Sequence, residues 1–386
     1  MTQPLRLNPL FERVAGSDQH AFLRSNPDRV FALTPDTLAL LEAFTRARPI
    51  AEVLPDAAPE QLAVIEQLVE LELLLEPGAS PPAWAWERAS QPVFRTGHWP
   101  SPSVSSRVPV IIVGARFDGA TSSVYPSGAS KGPSVVRAAA WDFPFIARYG
   151  FPDVDRPEPL LRDAELRDAG DLVVEPGCTW SEFAGALRDR LARLGASGRC
   201  VLLGGDHSVT LPALEALANQ HEAIGLLHFD AHADLGVEDQ PARVSHANVM
   251  RHAIALPHVV SLVQVGVRGI QALPQPSPGY AHFSVAQARR SPEAIVAAMR
   301  ADIPWYVSVD IDVLDPSVAP ATGALEPDGL GLAELRGLLR ACLTGRSLVG
   351  ADLVEVQAQA GDRLTGRAAA LVLIDLADLA CSPPKP

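Results

Sequence analysis

Lysine is almost missing from these 386 residues: of the 32 Lys and Arg, two are Lys, and they face 45 Asp and Glu for a formal net charge of -13. That balance argues against a nucleic-acid partner and leaves solubility as the simplest reading of the charge. Cysteine is also scarce. Cys178, Cys200, Cys342 and Cys381 are scattered, match no zinc spacing, and suit structural thiols in a reduced cytoplasm better than a disulfide framework. No uninterrupted apolar run approaches the roughly 18 residues of a membrane helix, and no charged-then-apolar signal opens the chain. The expectation is a cytoplasmic protein. What is present is 47% hydrophobic residues, enough to fill a sizeable core in a chain long for one domain and comfortable for two.

Composition divides the chain into three parts. Residues 79–107 are dense in Pro, Ser and Gly without sustained periodicity and are expected to form a linker. Before it, residues 1–78 contain short strand-like stretches, a helix start at "TPDTLALLEAF", a short helix at "PIAEVL" and the amphipathic "PEQLAVIEQLVELELLL". This reads as a small winged-helix-like module. Residues 108–386 carry continuous apolar runs, "VPVIIVGA", "CVLLGG", "AIGLLHFD", "VVSLVQVGV", "WYVSVDID" and "SLVGADLVEV", separated by helical stretches. Such runs are expected of strands buried on both faces of a mainly parallel sheet, so the fold class is α/β with its sites at the carboxyl ends of the strands.

Three predicted strands end in acid or imidazole groups: His207 in "VLLGGDHS", Asp230, His232 and Asp234 in "LLHFDAHAD", and Asp310 and Asp312 in "VSVDIDVLDP". The two-residue spacing places neighbouring members on one face of a strand. Four unpaired carboxylates at one sheet edge would be costly without cations. Four Asp charges balance two divalent ions, and a donor set without thiolate suits Mn²⁺ better than structural zinc. A metal pair of this kind lowers the pKa of a shared water enough for attack on an electrophilic carbon. Asp315, before Pro316, reads as a turn or cap residue, and Asp206 as a residue that orients its loop. His228 is expected on the face opposite its acidic neighbours.

"GGDHS", "DAHAD" and "SVDIDVLDPSVAPATG" resemble the signature blocks of the ureohydrolases: arginases, agmatinases, guanidino-acid hydrolases and formimidoylglutamases. Weaker similarity, including "VGARFDGATSSVYPSGASKGP", "VGVRG" and "DLVEV", extends over about residues 108 to 380. The resemblance implies an arginase-like three-layer α/β/α domain. It implies that one Mn²⁺ is held by His207, Asp230, Asp234 and Asp310, and a second by His232, Asp230, Asp310 and Asp312, with Asp230 and Asp310 shared. It further implies that His246 shuttles a proton and that Glu355 grips the substrate guanidinium, roles that suit an imidazole and a carboxylate. Histone-deacetylase-like enzymes share this general fold with a single zinc; His232 and Asp312 favour two ions.

The chain departs from arginases that act on free arginine, which hold the amino-acid head with polar groups starting two residues past the last Asp of the second block. Here that position is Gly236. The N-terminal module resembles the PqqD-like element of enzymes that modify ribosomally made peptides, which adds a leader peptide to its sheet edge. With six Arg, no Lys and twelve Asp and Glu in residues 1–78, it lacks the footprint of a DNA-binding winged helix. Together these features lead to the expectation of a peptide arginase that converts arginine residues of a leader-bearing precursor peptide to ornithine and urea. The alternatives are a hydrolase of a small guanidino compound, such as agmatine or a guanidino acid, and a metal-containing peptide-binding protein without turnover. Relatives by this resemblance form trimers or hexamers, so a homo-oligomer is a further expectation.

Overall fold

The computed structural model describes residues 4–7, 12–17, 20–26, 29–44, 48–55, 57–70, 74–75, 84–98, 108–119, 128–146, 148–174, 178–236 and 243–381. Its chain divides into two compact units, the first ending at Glu87 and the second beginning at Arg88.

In the first unit, strands Glu12–Ser17, His20–Asn26 and Arg29–Leu33 form an antiparallel sheet, and Pro4–Leu7 pairs with Arg48–Pro49 and Leu74–Leu75. Helix Pro35–Glu42 starts where "TPDT" predicts, with the Thr34 side chain accepting the Thr37 N–H. Helix Pro59–Glu70 is shorter than its apolar pattern suggests, because Leu74 and Leu75 turn into a strand. Leu38, Leu41, Phe44, Ile50, Ile65 and Leu68 form a small core.

Nine strands of the second unit make a parallel sheet: β1 (Gly97–His98), β2 (Val110–Arg116), β3 (Leu166–Val174), β4 (Arg199–Leu203), β5 (Ile224–Phe229), β6 (Val259–Val267), β7 (Tyr280–Ser284), β8 (Trp305–Asp310) and β9 (Leu348–Val354). Their spatial order is β7-β6-β5-β8-β9-β4-β2-β3-β1, and each neighbouring pair is parallel. The chain leaves β5 toward β6 and leaves β8 toward β9, in opposite directions along the sheet. Right-handed crossovers therefore put helices on both faces and open a crevice between β5 and β8, giving the three-layer α/β/α arrangement.

All six predicted strands form. β3 was not predicted because "LRDAGDLVV" carries two carboxylates where an apolar run is expected. Tertiary pairing makes it a buried strand. Arg137, from helix Gly132–Ala140, reaches Asp168 with Nε and Nη2 at 2.9 Å each and also binds Asp171. Burial opposes charge on Arg137, but the two carboxylates outweigh it and raise its pKa. The expected linker also differs from the structure. Within it, Arg88–His98 belongs to the second unit, Val93 and Phe94 are fully buried, and the Val93 N–H donates to Asp168 at 2.9 Å. Residues 79–83 and 99–107 lie outside the described residues.

Arg137→Met should strand both carboxylates and destabilise the second unit by about 3–5 kcal/mol. Equilibrium urea unfolding checks this; a loss below about 1 kcal/mol would count against a buried triad that depends on its cation.

Candidate metal centre

The carboxyl ends of four adjacent strands, β5, β8, β9 and β4, carry every predicted site residue except His246. Two glycines let the β4 end turn sharply inward. A Cβ on Gly205 would lie 1.7 Å from the Phe117 carbonyl oxygen, which accepts the Asp206 N–H at 2.9 Å. Asp206 accepts from the Ser208 N–H at 3.1 Å and hydroxyl at 2.5 Å, capping the turn that begins with His207. Asp315 likewise accepts from Ser317 and Gly329 in a turn.

His207 Nδ1 faces three carboxylate oxygens, Asp234 Oδ2 at 3.0 Å and Asp230 Oδ2 and Asp310 Oδ2 at 3.2 Å each. A second group forms around His232 Nδ1, 2.9 Å from Asp312 Oδ2 and 3.4 Å from Asp230 Oδ1. Asp230 is thus shared, with one oxygen turned to each group. At Asp310, Oδ2 faces the first group, while Oδ1 accepts the Asp312 N–H at 2.9 Å and caps the following turn.

His228 corrects a sequence expectation. Two residues before Asp230, it lies on the same face, and its Nε2 is 2.9 Å from Asp230 Oδ2. Gln264 fixes the tautomer by donating Nε2–H to His228 Nδ1 at 2.9 Å and to the Ala233 carbonyl at 2.7 Å, while its Oε1 accepts the Tyr280 hydroxyl. His228 therefore holds a proton on Nε2 and orients the shared carboxylate. A second relay backs His207: Nε2 meets Ser308 Oγ at 2.9 Å, Ser308 donates to Asp352 Oδ1 at 2.6 Å, and the Tyr306 hydroxyl donates to Asp352 Oδ2 at 2.9 Å. Gln271 grips the Asp230–Asp234 loop, accepting the Ala233 N–H and donating to the Ala231 carbonyl, each at 2.9 Å. Ser308 and Asp352 open the blocks "SVDIDVLDPSVAPATG" and "DLVEV" without a role assigned to them there, and Gln264 and Gln271 lie outside every block. Polar residues within apolar strands were the available signal for Gln264, Ser308 and Asp352.

The cluster is electrostatically frustrated as a bare protein. Burial first, then Asp312 and Asp230, hold the Asp310 carboxyl well above its ordinary range. Burial and Asp230 push Asp312 up to about 6. Burial opposes charge on His207, but three carboxylates draw it well above the usual imidazole value. His207 Nδ1 is nevertheless buried without a hydrogen-bond partner, although three carboxylate oxygens lie 3.0–3.2 Å away. Divalent cations resolve both features, and the oxygen and imidazole donors fit them.

His207, His232, Asp234, Asp310 and Asp312 line a cavity of about 510 Å³ together with Glu355, His246, Gly236 and Glu326. Glu355 sits just past β9 at φ 62°, and its Oε1 accepts the His207 N–H at 2.8 Å. Burial, then Asp206, holds its carboxyl well above the ordinary value. His246 opens a short turn capped by Ser245 and Asn248, and residues 237–242 before it lie outside the described residues.

Two acid and imidazole groups sharing one carboxylate, set in a cavity at the switch point of a parallel sheet, define a metal-dependent hydrolase. The family-wide sequence comparison agrees: the Arginase family matches residues 108–377, and the chain belongs to that family. It is an amidine hydrolase of the ureohydrolase type. It is similar to proclavaminate amidinohydrolase of Streptomyces clavuligerus, 35% identical over 260 residues that cover 64% of this chain and 80% of the relative. It is also similar to guanidinobutyrase of Pseudomonas aeruginosa, 32% identical over 68% of this chain and 83% of the relative. Agmatinase of Proteus mirabilis is 32% identical over 70% and 87%. The solved structure of the Streptomyces amidinohydrolase superposes with a TM-score of 0.65 at 30% identity, covering 78% of this chain and 99% of that one. No helix among the described residues is long and apolar enough to cross a membrane.

Proposed function

We propose that this chain is a manganese-dependent hydrolase of a small guanidino compound, releasing urea and the corresponding amine. The observation that carries the reading is that Glu355 and both donor groups line one cavity. His207, Asp230, Asp234 and Asp310 would hold one Mn²⁺ and His232, Asp230, Asp310 and Asp312 a second, and the pair would supply a water nucleophilic at neutral pH. Glu355 pairs with the guanidinium through a carboxylate that matches its forked N–H donors, aiming the central carbon at the metal pair. His246 delivers a proton to the departing amine. Relatives named for agmatine, guanidinobutyrate and proclavaminate chemistry support a small substrate.

A second reading, hydrolysis of arginine within a leader-bearing precursor peptide, is favoured by one feature: the N-terminal unit lies outside the matched residues 108–377 and contains an antiparallel sheet with an edge strand, Glu12–Ser17. Such an edge can accept an added peptide strand. Urea release by the manganese-loaded full chain from agmatine, 4-guanidinobutyrate, free arginine and arginine-containing peptides decides between the two. The small-substrate reading expects the first two to exceed the peptides by roughly tenfold or more in kcat/KM. Urea from peptides alone would replace it with the second reading, and urea from none would overturn both.

A further inference from the structure

Resting on the guanidine-hydrolase reading above, we infer that Glu326 determines specificity: its carboxylate meets the end of the substrate remote from the guanidine and selects a cationic amine there over a carboxylate. Glu326 follows β8 in the loop that leads to helix Leu332–Leu343 and lies on the cavity wall. Its backbone is pinned, because its carbonyl accepts Arg268 Nη2 at 2.8 Å. Its side chain lies over bare Gly269, where a Cβ would be 2.8 Å from Oε2 and 3.2 Å from Oε1 and where φ is +75°. A residue with a side chain at position 269 would be strained and would displace the carboxylate.

The neighbouring polar groups are already committed. Arg268 donates Nε–H to the Pro327 carbonyl at 3.0 Å, Nη2–H to the Asp312 carbonyl at 2.6 Å, and Nη1–H to the Gly266 and Val313 carbonyls at 3.3 Å each. It therefore has no free fork with which to receive a substrate carboxylate. Gln271 spends both amide atoms on the Asp230–Asp234 loop. Among the described residues no hydrogen bond is formed to the Glu326 carboxylate, so its acceptor capacity is open to a ligand. A cavity with Glu355 by the donor groups and Glu326 on its wall is matched to a molecule with a cation at each end. A guanidino acid would instead set its carboxylate against Glu326.

Agmatine and 4-guanidinobutyrate are close in length and differ in the remote group, so their kcat/KM ratio on the manganese-loaded full chain reads the effect. Wild type should prefer agmatine. Glu326→Gln should lower kcat/KM for agmatine by roughly 10- to 100-fold, mainly through KM, and raise that for 4-guanidinobutyrate, collapsing the ratio. Unchanged metal content would place the loss in substrate binding. A wild-type preference for 4-guanidinobutyrate, or an equal fall for both substrates in Glu326→Gln, would overturn the inference while leaving guanidine hydrolysis standing. No urea from either substrate with the wild type would overturn both.

Discussion

Asp310→Asn should abolish turnover, by roughly 1,000-fold or more, while leaving the metal-free chain at least as stable as wild type. The two effects have one origin. In the bare protein Asp310 is buried against Asp312 and Asp230, and its carboxyl is held well above the ordinary range, so a charge at this position is a burden to folding until a cation arrives. Asparagine keeps the shape and can still accept the Asp312 N–H through its side-chain oxygen. It removes one of the anionic ligands that face His207 Nδ1. Elemental analysis should show reduced manganese, and thermal melts should show that added manganese stabilises the wild type far more than the variant. Asp230→Asn should be at least as damaging to activity, because both groups lose a ligand. One tightly bound zinc in the wild type, with activity indifferent to manganese, would sink the two-ion reading.

Glu355→Gln should lower kcat/KM by roughly 100- to 1,000-fold with metal content unchanged. Glutamine can still accept the His207 N–H that now ends on Oε1, so the loop that carries the metal ligand is retained. What disappears is the negative charge opposite a guanidinium. The left-handed backbone at Glu355, φ 62°, is the kind of local strain that persists where a side chain must be aimed, here back across the β4 end. His246→Ala should act differently, lowering kcat more than it raises KM, since its expected part is proton delivery to the leaving amine. Wild-type kinetics for both variants would remove these residues from the site, and metal loss in Glu355→Gln would make it a structural residue instead.

Much of the architecture could be read from the chain alone because parallel strands buried on both faces must be continuously apolar, and six such runs are present. The reading failed where tertiary partners replaced hydrophobicity. β3 tolerates Asp168 and Asp171 only because Arg137 reaches them from a helix about 30 residues earlier. Val93 and Phe94 sit in a Pro-rich stretch that looks like a linker, yet they fill the same core. β7 has half-buried residues throughout and no run to announce it. His228 and Asp230 are two residues apart on β5, so strand alternation itself puts them on one face, where His228 Nε2 meets Asp230 Oδ2.

By itself, the sequence determined the donor types and their pairing within each strand end: His207 alone, Asp230 with His232 and Asp234, Asp310 with Asp312. Alternation along a strand is a local property, so spacing is enough to decide it. Tertiary structure decided which donors meet, because strand order places β5 beside β8 and β9 beside β4, although their sequence separations are about 80 and 150 residues. It also decided which polar groups remain available. Gln271 and Arg268 have their donors consumed by backbone carbonyls, whereas the Glu326 carboxylate rests over Gly269 in a residue that lines the cavity. Hydrogen-bond commitments of this kind are set by contacts across the fold, and no local pattern of residues encodes them.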